Sequence, residues 1–215
     1  KKQIGILINS LMNTKQVSFK GFYNAEQPKK QVYLHHTAGA GDGASTFAYW
    51  DTNSENISTC VVISKDGTIV QGFDSKFWAY HLGLKSSHFK GLPYINLDKT
   101  SIGIEIVNYG YLTEKKGKFY SYTNKEVKDV CTLDVVYKGY KHFENYTDKQ
   151  IDSVHKLLIH WRDKYAIDLT YNEDIWQVTK RALSCKNGVY THNSVRADKI
   201  DVYPHPKLIA MLKSL

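Results

Sequence analysis

The stretch from about Thr147 to Tyr165 constrains the fold more than any other part of the sequence. Thr147 and Gln150 are spaced as a capping box, and Ile151, Val154, Leu157, Leu158, Trp161 and Tyr165 fall on one apolar stripe at helical spacing. A helix of this kind needs an apolar surface to lie on. Short strands supply it: Gln31 to Leu34, ending at a glycine-rich stretch from Gly39 to Gly43; Thr59 to Ser64 and Thr68 to Gln71, joined through Lys65-Asp66-Gly67; Ser101 to Val107; and Gly188 to Thr191. Asp-Gly between apolar runs predicts a hairpin. In the strand at 101–107, Ile102, Ile104 and Ile106 share one face and Glu105 points to the other. Ser45 or Thr46 is expected to cap a short helix carrying Phe47, Tyr49 and Trp50, and a last helix is expected over Pro206 to Leu215. Strands first and helices later predict an α/β fold: a central mixed β-sheet flanked by helices. The stretch from Gly110 to Tyr146, rich in Tyr, Lys and Gly, predicts no definite element.

The 215 residues fit a single domain with a sizeable core, and no repeat, low-complexity segment or linker divides them. No stretch is apolar for the roughly 18 to 20 residues of a membrane span, and the apolar start, Lys1 to Asn9, is too short for a signal peptide. A chain that starts at Lys rather than Met leaves room for an upstream leader. Three cysteines at wide separations, Cys60, Cys131 and Cys185, argue against a disulfide framework and against an all-cysteine zinc site, and Cys60 reads as a buried thiol. The net charge of +8 favours an anionic partner. A nucleic acid, an acidic membrane surface and an anionic wall polymer all qualify, and the scatter of the basic residues as pairs, such as Lys29-Lys30 and Lys180-Arg181, weakens the first.

Among the nine histidines, position separates the informative from the bland. His142, His155 and His160 in or beside the long helix, and His88 in a polar loop, read as surface or boundary residues. His35 and His36 stand at the end of a buried strand, and His192 ends another, with Asp198, Lys199 and Asp201 close behind. Strand ends aim side chains rigidly at the edge of a sheet, and two imidazoles with a carboxylate and one open position form the ligand set of a catalytic zinc site. Two core histidines beside a solvated charged loop would look the same by spacing.

Five segments in order, Val32-Tyr33-Leu34-His35-His36-Thr37-Ala38-Gly39, Ser64-Lys65-Asp66-Gly67-Thr68-Ile69, Trp78-Ala79-Tyr80-His81-Leu82-Gly83, Thr100 to Asn108, and His192 to Asp201, resemble the signature of the zinc-dependent N-acetylmuramoyl-L-alanine amidases, the family of phage lysozyme-like amidases and peptidoglycan recognition proteins. The likeness spans about residues 30–210. It implies one catalytic amidase domain without a separate wall-binding module, a zinc ion held by His35, His192 and Asp201, and catalytic roles for Glu105 and Lys199. His36 is implied to pack or to orient substrate. His81 is implied to line the substrate groove rather than bind metal, with Trp50, Tyr49 and Trp78 as stacking surfaces there. Two departures stand out. The segment between His192 and Lys199 is one residue shorter than the commoner pattern, and Val202-Tyr203 replaces the usual Pro-Gly after Asp201, which keeps Asp198 and His205 open as substitute ligands.

The expected activity is hydrolysis of the amide between N-acetylmuramic acid and L-alanine in peptidoglycan. Amide hydrolysis at neutral pH needs an activated water, a Lewis acid on the carbonyl oxygen and a proton for the amine. Glu105 is the type of group that moves the proton, and Lys199 the type that stabilises an oxyanion. The rival reading is a zinc-free recognition protein that binds the wall without cutting it. The expected protein is a monomer with peptidoglycan as its partner, neither nucleic-acid-binding nor integral to a membrane. It would be made in the cytoplasm and act on the wall as phage lysins do, or be secreted if a leader was removed.

Overall fold

The computed structural model describes residues 12–215, so the apolar start from Lys1 to Asn9 lies outside the described residues. Four adjacent, mutually parallel strands carry the main sheet: β3 (Val61–Ile63), β5 (Ser101–Ile106), β2 (Gln31–His36) and, at the edge, β11 (Gly188–Thr191). With β1 (Thr14–Gln16) and β4 (Ile69–Gln71) they form a six-stranded mixed sheet in the order β1-β4-β3-β5-β2-β11. All six residues of β2 and all four of β11 are buried. A parallel strand covered on both faces reads as a continuous apolar run, which is why Val32-Tyr33-Leu34 shows no alternation.

The hairpin β3–β4 turns at Asp66-Gly67 and pairs antiparallel, as its sequence predicts. Gly67 has φ +84, and a Cβ there would stand 2.8 Å from the Lys149 carbonyl oxygen, so the turn requires glycine. The short helix α1 (Gly43–Trp50) is capped by Asp42, whose carboxylate accepts from Ser45 N–H at 2.8 Å; Ser45 completes the capping box from inside the helix. This corrects the expected cap at Ser45 or Thr46. Asp42 is the residue that keeps extended backbone while its side chain reaches the third amide.

After α2 (Leu97–Thr100), the long helix α3 (Asp148–Tyr165) forms as predicted, with Thr147 and Gln150 in a reciprocal capping box. Val154, Leu157, Leu158 and Trp161 are buried in the core with Ile102, Ile104 and Ile106. Gln150 also reaches the sheet, its amide donating to the Val107 carbonyl at 2.9 Å. After α4 (Lys180–Leu183), the helix α5 (Pro206–Lys213) closes the fold.

The stretch from 110 to 146 is a sheet, not the undefined region its sequence suggests. β6 (Tyr111–Lys115), β7 (Lys118–Tyr120), β8 (Glu126–Val127), β9 (Val130–Tyr137) and β10 (Tyr140–Glu144) form an antiparallel sheet in the order β8-β7-β6-β10-β9. His142 lies on β10 rather than beside the long helix. The sheet joins the end of β5 through Asn108, whose amide donates to the carbonyls of Glu144 and Asn145 at 3.0 and 3.2 Å, and through Tyr203, stacked on Phe143 at 4.2 Å.

Candidate active site

Parallel pairing decides which side chains meet. Leu34 pairs with Ile104 and His35 with Glu105 across β2 and β5, while Thr191 pairs with Leu34 across β11 and β2. Residues in register project to the same face, so His35 and Glu105 stand side by side, and His192, one step beyond Thr191, joins them. Each of these strands runs out at the same edge, which is where parallel sheets gather functional groups.

His35 Nδ1 lies 3.1 Å from His192 Nδ1 and 3.1 Å from Asp201 Oδ2, and His192 Nδ1 lies 3.0 Å from that same oxygen. Three donor atoms this close, two imidazole nitrogens and a carboxylate oxygen, suit a shared cation. In a tetrahedral zinc site with bonds of about 2.0–2.1 Å, neighbouring ligand atoms stand about 3.3 Å apart. The donor set and its spacing therefore fit zinc. Among the described residues, His35, His192 and Asp201 form the cluster with ligand atoms within 4.8 Å of one another.

The two substitute ligands are placed elsewhere. Asp198 is exposed and held by Arg196 at 2.6 Å, whereas His205 caps α5, its Nδ1 accepting from Lys207 N–H at 3.2 Å.

The outward nitrogens of both histidines are also engaged, as metal ligands require. His192 Nε2–H donates to the Leu82 carbonyl at 3.0 Å, which leaves the lone pair of the neutral ring on Nδ1. His35 Nε2 sits 3.0 Å from His81 Nδ1, and His81 Nε2 sits 2.8 Å from Ser101 Oγ. With His35 Nε2–H donating to His81 and His81 Nε2–H donating to Ser101, the lone pair of His35 also faces inward. Burial pushes the pKa of His35 down to about 4 and that of His81 well below the usual histidine value, so both rings are neutral near pH 7.

Glu105 lines a groove of about 520 Å³ together with Thr37, Thr46, Tyr49, Trp50 and Tyr122. Burial and then the Asp201 carboxylate push its pKa well up, while Lys199 pulls it back. A carboxyl tuned upward is suited to accept and return a proton near neutral pH. The charge of Lys199 acts on His35 as well as on Glu105.

The structure thus brings together His35, His192, Asp201, Glu105 and Lys199, and sets Trp50 in the groove wall. The other expected contact residues are placed as follows. His36 alternates to the opposite face of the sheet from His35, is buried, and hydrogen-bonds Tyr146 Oη at 2.8 Å. Trp78 is buried and stacks on Tyr23 at 4.1 Å, away from the groove lining. His81 lines the groove, with its side chain only 5% exposed and both ring nitrogens within hydrogen-bond distance of His35 and Ser101. Tyr122 and Ser101 carried no signal in the sequence. Cys60 is the expected buried thiol, and burial pushes its pKa up to about 12.

The sequence profile of the N-acetylmuramoyl-L-alanine amidase family, Amidase_2, matches residues 25–206. The chain belongs to that family. No curated protein sequence matches this amidase-family chain. Among solved structures, PlyL is 15% identical with a TM-score of 0.53, the match covering 93% of this chain and 95% of PlyL. The PlyG catalytic domain is 13% identical with a TM-score of 0.54, covering 94% and 93%. A mutant endolysin from Bacillus subtilis is 15% identical with a TM-score of 0.51, covering 94% and 99%. At these identities the likeness shows a shared α/β fold. The family membership supports peptidoglycan amidase activity.

Proposed function

We propose that this amidase-family chain is a zinc-dependent enzyme that hydrolyses the amide between the lactyl group of N-acetylmuramic acid and the L-alanine of the stem peptide. The observation that carries the reading is the convergence of His35 Nδ1, His192 Nδ1 and Asp201 Oδ2 beside a groove-facing Glu105. Zinc bound by these three atoms supplies a Lewis acid for the amide carbonyl and brings the pKa of water to about 7. The protein's own groups do the rest. Glu105 accepts a proton from the attacking water and returns it to the amide nitrogen as the C–N bond breaks. Lys199 holds positive charge beside the carbonyl oxygen as that oxygen gains negative charge. Leu82 and His81 keep the two imidazoles aimed, and the groove aligns the sugar and peptide on either side of the bond.

A zinc-free wall-binding protein has no use for three converging donors, two of them imidazoles whose outer nitrogens are also hydrogen-bonded, so the catalytic reading is preferred. With +8 net charge, attraction to anionic wall polymers assists the encounter and weakens with salt. An enzyme of this kind acts on the wall in the manner of a lysin. Metal analysis tests the reading. The parent protein should hold about one zinc, and His35→Ala and His192→Ala should lose both metal and peptidoglycan cleavage. Full cleavage by a folded His192→Ala protein would refute the site.

A further inference from the structure

The loop from Arg196 to Ile200 joins His192 to Asp201 and carries Lys199, so its placement sets one zinc donor and one catalytic cation. Its far end is held from within: Asn193 Nδ2 donates to the carbonyls of Asp201 and Val202 at 3.0 and 2.9 Å. Its middle is held from outside. Lys138, at the tip of the β9–β10 hairpin, donates from Nζ to the Ala197 carbonyl at 2.9 Å and to the Lys199 carbonyl at 2.6 Å. The charges of Asp198 and Asp201 act on this ammonium as well. Charge-assisted hydrogen bonds of this kind are about twice as strong as neutral ones.

The tip that presents Lys138 is itself fixed. Lys138 and Gly139 have φ of 48 and 87, a two-residue turn of the type that closes tight hairpins, flanked by the Tyr137–Tyr140 pair. Tyr137 Oη donates to the Trp176 carbonyl at 2.9 Å. The preceding carbonyl, that of Ile175, accepts from the hydroxyls of Thr191 and Ser194 at 2.6 and 2.7 Å, the residues that bracket His192. One hairpin tip therefore touches the support behind His192 and the loop ahead of Asp201.

We infer that the second sheet serves the active site as a clamp, with Lys138 the positioning residue that sets Asp201 and Lys199 against His35 and Glu105. The inference rests on the zinc reading given above. It also accounts for the sequence departures: a ligand loop one residue short, without Pro-Gly after Asp201, is stiffened by an external ammonium instead of by its own backbone.

The test is zinc affinity of the full chain, measured by competition with a fluorescent chelator, together with the melting temperature of the zinc-free protein. Lys138→Met keeps the Cβ and the aliphatic stem at the same left-handed backbone position and removes only the donors. It should raise the zinc Kd roughly tenfold or more, the usual effect of losing a group that orients a metal ligand. Lys138→Gln should fall between, and Lys141→Met, which removes an exposed lysine of β10, should leave the zinc Kd at the parent value. Parent-like zinc affinity in Lys138→Met, whatever happens to its melting temperature, overturns the proposal. If Lys138→Met cannot be purified folded, parent-like affinity in Lys138→Gln overturns it equally. Zinc binding by the parent with no change in either variant sinks the clamp alone, whereas a parent that binds no zinc sinks the zinc reading and the clamp with it.

Discussion

The two sheets of this protein are built on different terms. The mixed sheet buries every residue of β2 and β11 and takes its stability from apolar area covered on both faces. The antiparallel sheet buries little: Leu112, Val127, Leu133 and Phe143 point inward, while Val135 and Val136 on β9 are 78% and 58% exposed. The difference teaches where chemistry and alignment reside. Groups that must not move sit on the rigid parallel strands, and the lightly packed sheet reaches them through its turns, with Tyr122 in the groove and Lys138 on the ligand loop.

The sharpest break in the comparison is truncation of the core. Leu158 is fully buried under the mixed sheet, so Leu158→Ala should cost about 2–5 kcal/mol of unfolding free energy, whereas Val136→Ala should fall within about 0.5 kcal/mol of the parent. Urea denaturation of both variants measures it, and equal losses would erase the distinction between the sheets.

The next effect separates chemistry from binding. Glu105→Gln preserves shape and removes the proton acceptor, so zinc content should stay at the parent level while turnover falls roughly a hundredfold, about 2.7 kcal/mol. Unchanged turnover would make Glu105 a bystander at the groove edge.

The smallest effect is a pH dependence at the junction of the two sheets. His205 caps α5 through Nδ1 and meets Asn145 of the second sheet through Nε2 at 2.6 Å. Burial and then Lys207 push its pKa down to about 4 from 6.5. The folded protein thus binds fewer protons here than the unfolded chain between those values. The stability from this group is fully present above pH 6.5 and is lost as pH falls through 4. His205→Asn keeps a cap acceptor that does not titrate. Between pH 6.5 and 4 the parent should lose more stability than this variant in thermal unfolding, and parallel pH profiles would contradict the assignment.

The same contrast explains what could be read from the sequence. β2 and β3 were legible because double burial leaves apolar runs, β5 because its isoleucines alternate with Gly103 and Glu105, and α3 because its stripe and capping box agree. The donor cluster was legible because strand ends and strand register bring His35, His192 and Glu105 to one edge. Register also separates His36 from His35, which the adjacency of the two in sequence conceals. The second sheet was not legible: its strands bury few apolar side chains and expose others, such as Val135 and Val136, and its tight turns are Lys116-Gly117 and Lys138-Gly139, with lysine where Asn or Asp would signal a hairpin. The roles of His81 and Trp78 depend on tertiary contacts with Ser101 and Tyr23 that no local pattern announces.

The central claim is that His35, His192, Asp201 and Glu105 together cut an amide and leave glycan intact. Mass spectrometry of purified peptidoglycan digested by the zinc-loaded protein reads the broken bond directly. The account predicts released stem peptides with a new free amino group on L-alanine and uncut glycan strands. New reducing sugar ends without new alanine amines would contradict it, since hydrolysis of a glycosidic bond calls for a pair of carboxylates astride that bond.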